Sequence, residues 1–415
     1  MRPLLLLLLL STPLFADEET IPGSRPTNQI IVSPNGPDDG GDFGPKTPGT
    51  KTSGLQEAFD AAKRHAKDLY VAGGSWTADK TTPVVYNLHK TLHVPWMQNF
   101  RFDSGHAVLN YVGKTGDAVV IDSQMSCSYR FGLIVSLSDG AVVRLTPATE
   151  GPDRFRVITS TEFVFNALVG GGGAWPGGEP YNSTLDQKRR WMGVGLHLDG
   201  RPGPIDANKI TVFETVGCET GLLLTGGISR NTIEETNIHL CRHHLRIGDE
   251  QDAIPCDNRI EAFVDSQGIQ HSSGATIFGV RNMLTLSSRP GMTQYDLRFG
   301  PSASDNLVLL HSAGKTVDDS TSHTNRLIST AQPTPLATPP VPPSGEAIQN
   351  TNPFPIEIRI LNPGTVTHWT ELSPGEDAID IHAPLSPGQS FLLNPGESLR
   401  LQYTAPPTWR WKPIR

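Results

Sequence analysis

A chain of 415 residues with only 18% charged residues, 41 glycines and 35 prolines has the composition of short strands joined by turns, not of packed helices. Its formal net charge of −8 offers no basic surface for nucleic acid. Four cysteines in so long a chain, none in a CxxC pair, exclude a small disulfide-stapled fold and give no zinc-finger spacing.

The chain opens Met1-Arg2-Pro3, continues as an unbroken leucine run from Leu4 to Leu10, and reaches Ala16 before the acidic Asp17, Glu18 and Glu19. A positive start, an apolar run too short to span a bilayer and a small residue before an acidic stretch read as a signal peptide over residues 1–16. This implies a secreted, periplasmic or cell-envelope protein. No later stretch is apolar for long enough to cross a membrane. Residues 17–50 are rich in Pro, Gly, Asp and Thr and read as a flexible arm. Asp38, Asp39 and Asp42 within it lack the spacing of an EF-hand loop and read as solvated turn residues.

One helix follows. Ser53 is placed to cap it, with Gln56 completing a capping box. Leu55, Ala58, Phe59, Ala62, Ala66 and Leu69 form an apolar stripe at helical spacing. The periodicity then changes to short runs at 84–88, 91–94, 100–102, 107–111, 118–121, 132–135 and 141–145, each stopped by Gly, Asp, Asn or Pro.

The second half repeats. Asn208, Asn231, Asn258, Asn282, Asn306 and Asn325 recur at steps of 23, 27, 24, 24 and 19 residues. Two places after the first five stand Ile210, Ile233, Ile260, Leu284 and Val308. Coils of this length cannot bury an apolar face alone, so they must stack, with equivalent strands about 4.8 Å apart. Stacked asparagines at a bend can bond each other and satisfy turn backbone. The fold expected is all-β: a right-handed parallel β-helix over residues 51–330, its exposed N-terminal end covered by the helix. A proline-rich linker over 331–350 leads to a small β-sandwich-like domain over 351–415, with strands at 356–361, 365–369, 378–381, 390–393 and 398–403.

The segment TSGLQEAFDAA from Thr52 to Ala62, followed by DLYVAGG from Asp68, resembles the entry to pectate-lyase-like β-helix proteins. That superfamily includes polysaccharide lyases, glycoside hydrolases and phage tailspikes. The resemblance implies the same fold. It carries no catalytic motif of pectate lyases or polygalacturonases, so it assigns no active residues.

Candidate chemistry comes from the coil alignment. The column three places after the asparagines reads Thr211, Glu234, Glu261, Thr285 and should face outward. Glu234 and Glu261 would stand on neighbouring coils, with Asp265 four residues beyond, and paired carboxylates are what glycoside hydrolysis requires. Arg230 and His243 are candidate substrate contacts. The dense group His239, Cys241, His243 and His244 is a possible metal corner if alternate residues share a face, although Leu240 and Leu245 suggest ordinary packing. Cys218 and Cys241 share a column and read either as core thiols or as an inter-coil bridge. The segment from Gly170 lacks the ending of a phosphate loop and reads as a long excursion. Its Trp175, Tyr181 and Trp191 are placed either to stack on sugar rings or to close a lid over the core. Trp409 and Trp411 read as packing residues or as a second sugar surface. Together these features suggest an exported protein that binds or processes polysaccharide. The other reading is a non-catalytic structural or adhesion module of an envelope or particle.

Overall fold

The computed structural model describes residues 28–73, 84–148, 156–170, 191, 193–251, 255–266, 271–289, 292, 294–311, 315–329 and 336–414. Two parallel sheets run side by side along the body. The first takes its rungs in chain order, among them Ser128–Ser136, Glu162–Val169, Lys209–Val212, Thr232–His239, Arg259–Asp265, Met283–Ser288, Leu307–Leu310 and Arg326–Ser329. The second includes Ala141–Leu145, Val194–Asp206, Thr220–Ser229, His243–Ile247, Ser273–Ile277, Tyr295–Phe299 and Thr316–Asp318. Single parallel bridges from Ser229 to Cys256, Val280 and Ser304 mark a short third side. Each turn of chain therefore adds one rung to each side, which is a parallel β-helix.

The interior is built of columns set by the pairing register. Ile30, Leu69, Phe102, Tyr129, Phe163, Ile210, Ile233, Ile260, Leu284, Val308 and Leu327 stack in one of them. All eleven are buried. The early coils use rings, with Tyr129 and Phe163 stacked at 5.3 Å and Phe131 and Phe165 also at 5.3 Å. The later coils use branched aliphatics, which suit a pleated surface.

Both corners of the later coils repeat one device. A residue in the left-handed region bends the chain, and the next residue points inward. At the first corner Ala207, Arg230, Asp257, Arg281 and Asp305 have φ between 53° and 57° and precede buried Asn208, Asn231, Asn258, Asn282 and Asn306. At the second, Gly217, Leu240 and His271 precede buried Cys218, Cys241 and Ser272.

The asparagines form a continuous amide ladder. Nδ2 of each donates to Oδ1 of the next at 3.0, 3.0, 3.0, 3.2 and 2.8 Å from Asn208 to Asn325. The same Oδ1 atoms accept the preceding asparagine's backbone N–H at 2.9–3.2 Å. Asn208 Oδ1 in turn accepts from the Thr161 amide, where the ladder ends.

The helix Leu55–His65 covers the N-terminal end, burying Leu55, Ala58, Phe59, Ala61 and Ala62, with Phe59 stacked on Phe102 at 5.1 Å. Its cap differs from the expected one. Ser53 has φ 54° and donates to the Asn87 carbonyl instead, so Gly54 takes the N-cap position. The Gln56 amide bonds Thr52 Oγ1, and the Gln56 side chain docks on both backbone groups of His93. The stripe is also shorter than expected. Ala66 is an exposed left-handed C-cap, and Leu69 is buried in the following strand.

Residues 28–50, read from composition as part of an arm, are folded onto the body. Gln29–Val32 pairs in parallel with Asp68–Val71 as the terminal rung of the first sheet. Asp42 accepts from the Ile31 amide at 2.9 Å, Asp39 accepts from the Asn35 amide at 2.9 Å, and Asp38 pairs with Lys46. The signal-peptide reading of residues 1–16 lies outside the described residues.

The C-terminal domain is a sandwich of a four-stranded and a three-stranded antiparallel sheet. Ile356, Ile358, Phe391 and Trp411 from one sheet meet Val366, Leu399 and Leu401 from the other. Sequence inspection missed two strands, Ala347–Gln349 inside the proline-rich stretch and Thr408–Pro413. The second aims Trp409 and Trp411 into the core, which is a packing role. Part of the linker is itself docked. Trp409 Nε1 donates to the Pro339 carbonyl at 2.9 Å and Tyr403 Oη to that of Pro342 at 2.7 Å.

The ladder makes a graded prediction. Asn258→Ala leaves the buried Asn231 backbone amide without its acceptor, at a cost of about 1–3 kcal/mol, and takes one of two donors from the Ile228 carbonyl, which keeps the Cys256 N–H. Asn325→Ala, at the ladder's end, strips the Asn306 amide of its acceptor in the same way but breaks no bond to a further asparagine, and should cost less. Urea unfolding of the two variants checks the order; equal losses would mean that the ladder is not cooperative.

Candidate functional site

Two surfaces of the coil body carry chemistry. The first is the outer face of the first sheet. Lys209, Thr232, Arg259 and Met283 occupy one outward column, and Thr211, Glu234, Glu261 and Thr285 the next. Glu234 and Glu261 are thus in register on adjacent strands, about 4.8 Å apart at the backbone, and both are exposed. Lys209 and Arg259, also exposed, put positive charge on the same face. Thr236, two residues beyond Glu234, is exposed as well. Phe213, just past the rung below, is 50% exposed, and Phe263 lies partly exposed on the rung above. An exposed ring beside a carboxylate pair is a feature that inspection of the asparagine columns alone overlooked. Counting to the fifth place after each asparagine would have found it.

The second surface is the corner between the two sheets. Val108, Val135, Val169, Val216 and Leu240 form an apolar outer column there, and Trp191 packs on it. The Arg242 guanidinium lies 5.9 Å over the Trp191 ring and pairs with Glu219 at 2.9 Å. His239 Nε2 stands 3.1 Å from Glu214 Oε1. The His239 ring beside it outweighs burial and holds the Glu214 carboxyl below its usual range. His243 Nδ1 bonds Ser273 Oγ at 2.8 Å, and burial lowers the His243 pKa. Asp265, opposite His239 in the register, is buried and pairs with Arg289 at 2.9 Å.

The expected site residues are therefore divided between these surfaces. Glu234 and Glu261 are together. Asp265 lies four residues, or about 13 Å of strand, beyond Glu261 and is committed to Arg289 in the corner. His243 is in the corner too. Arg230 belongs to neither, because its left-handed backbone turns it toward Asp206, whose Oδ1 accepts from Nε at 2.8 Å. Trp191 is occupied by the apolar corner column and Arg242. Trp175 and Tyr181 lie outside the described residues.

The metal corner does not form. Leu240, with φ 55°, breaks the alternation that would have aligned His239, Cys241 and His243. Cys241 is fully buried and donates to the His239 carbonyl at 3.4 Å, as Cys218 does to that of Val216 at 3.5 Å. All four cysteines are free thiols, so Cys218 and Cys241 stack in the core without a bridge.

Beside them is a group the columns also hide. Glu235 occupies the inward position between Val212 and Ala262, is 1% exposed, and accepts from Thr215 Oγ1 at 3.1 Å. Burial raises its pKa well above the usual 4.5 despite the Thr215 bond. Burial likewise holds His244 and His197 neutral, with pKa values lowered to about 4.

A comparison with protein-family models gave no match, and a comparison with curated proteins gave none either.

The buried groups predict the pH dependence of stability. Between pH of about 4 and 6.5 the unfolded histidines take up protons that buried His197 and His244 refuse, so stability rises with pH there. Glu235 acts oppositely: unfolded, it ionises above about 4.5 while the folded carboxyl stays protonated, so its contribution is lost as pH rises. Glu235→Gln should therefore gain stability relative to the unsubstituted chain progressively as the pH rises above about 4.5. Denaturant midpoints measured across that range check the sign, and a pH-independent difference would mean that Glu235 is ionised in the fold.

Proposed function

We propose that the chain is an exported β-helix protein that binds or processes polysaccharide on the outer face of its first sheet. The observation that carries this reading is the in-register pair Glu234 and Glu261 flanked by Lys209, Arg259 and the half-exposed ring of Phe213. A flat parallel face presents equivalent groups at each rung, which suits an extended chain whose own units repeat. Carboxylates and cations bond hydroxyls, and an exposed ring offers an apolar platform to a sugar face. Strands about 4.8 Å apart would let the two side chains approach the carboxyl separation of about 5–5.5 Å that a retaining glycosidase uses. Export rests on the leucine-rich start of the chain. No helix among the described residues is long and apolar enough to cross a membrane.

The test is a glycan-array screen of the full chain followed by a reducing-end assay on each ligand found. Phe213→Ala is expected to weaken binding about tenfold, the scale of a contact at the centre of an interface. Glu234→Gln and Glu261→Gln should each abolish turnover if the pair is catalytic, and weaken only binding if it is not. A screen with no ligand, or a ligand whose binding ignores all three substitutions, leaves the structural or adhesion module as the function.

A further inference from the structure

The C-terminal sandwich holds a side-chain cluster that the polysaccharide reading does not use. Strands Val366–Leu372 and Ile379–Ile381 pair antiparallel, with Thr370 opposite Asp380 and Trp369 opposite Ile381. Continuing this register by one residue sets His368 across from His382. Alternation then puts His368 and Thr370 on one face with Asp380 and His382. Trp369 faces the other way, edge-on to Phe391 in the core at 5.0 Å. The result is two imidazoles, with ring centroids 4.1 Å apart, beside one carboxylate. His368 Nε2 and Asp380 Oδ1 are in direct contact, and Thr370 Oγ1, buried, bonds the same oxygen at 2.5 Å.

We propose that His368, Asp380 and His382 form a binding site for a divalent transition-metal ion. One ligand atom from each lies within 4.8 Å of the other two. Metal–ligand bonds of about 2.0–2.1 Å around a tetrahedral ion require ligand atoms roughly 3.4 Å apart, which modest side-chain rotations reach. Two imidazoles and a carboxylate match zinc, copper, nickel or iron, whereas calcium and magnesium take all-oxygen sets. Thr370 supplies the outer hydrogen bond that orients a ligating carboxylate. His368 is largely buried while Asp380 and His382 are exposed, so the ion would sit at the surface with its remaining positions open to water or a small ligand. It would also clip the short strand Ile379–Ile381 to its neighbour.

The experiment uses the full chain without a histidine tag, stripped with chelator and titrated with zinc by calorimetry. One equivalent is expected to bind. His368→Gln and His382→Gln should each weaken it about tenfold or more, with the far-UV circular dichroism unchanged. His243→Ala, in the coil body, should leave zinc binding as it was. Copper provides a second readout on the unsubstituted chain, where nitrogen hyperfine splitting from two imidazoles is expected in the electron paramagnetic resonance spectrum. The proposal is overturned if the unsubstituted chain takes up no zinc at about 100 µM, a concentration that detects even a weak three-ligand site. It is equally overturned if the folded chain carrying both His368→Gln and His382→Gln binds as tightly as the parent, or if the copper spectrum shows oxygen ligands alone.

Discussion

Along the body from Thr161 to Asn325, one amide serves the backbone of two coils at once. The Asn231 side-chain oxygen accepts both N–H groups that Asn208 presents. Its NH₂ donates forward to Asn258 and back to the Ile205 carbonyl. An amide side chain has two donors and two acceptor sites in one plane, which a carboxylate or hydroxyl lacks. That stoichiometry is why the column is asparagine. A left-handed bend inside a stack leaves backbone groups facing the interior, where an unpaired donor or acceptor is expensive. The ladder removes that expense at each coil, and the aliphatic columns then close over it. Upstream of Asn208 a hydroxyl takes the amide's place, Thr161 Oγ1 accepting from the Cys127 N–H at 3.3 Å, and the interior is filled by packed rings from Phe102 to Phe165.

Much of this was legible in the sequence because the ladder and the column two places beyond it are periodic. The asparagine spacing gave the coil, the aliphatic register gave the inward face, and the short apolar runs before residue 150 coincide closely with strands. What was not legible depended on single torsions. Ser53 has the composition of a cap but a left-handed backbone that sends its hydroxyl to Asn87. Leu240 has an ordinary apolar side chain, yet its positive φ separates His239 from Cys241 and His243. Composition also misjudged residues 28–50, because a turn-rich segment can still contribute one four-residue rung to an open sheet end.

The candidate site was partly legible for the same reason. Glu234 and Glu261 fall out of the repeat, since a register written into the ladder fixes which residues become neighbours across coils. Asp265 did not follow, because extrapolating along a strand says which side a residue faces but not what neutralises it, and Arg289 arrives from the next coil. Glu235 was hidden by its neighbour. Only a comparison with Val212 and Ala262 marks it as a polar residue in an apolar column.

The ladder's steps of 23, 27, 24, 24 and 19 residues differ by up to eight, yet the amide separations stay between 2.8 and 3.2 Å. Chain length and rung position are therefore decoupled. The longest step, 27, takes its extra residues between the second sheet and the next asparagine, in the ten residues that separate Ile247 from Asn258. A body built this way can gain or lose residues on one flank while its opposite flat face keeps its order. For evolution that flank is a place where length can drift at little cost. For engineering it is a graft position: a foreign peptide inserted after Ile247 would be displayed on a scaffold whose neighbouring coils remain locked to each other.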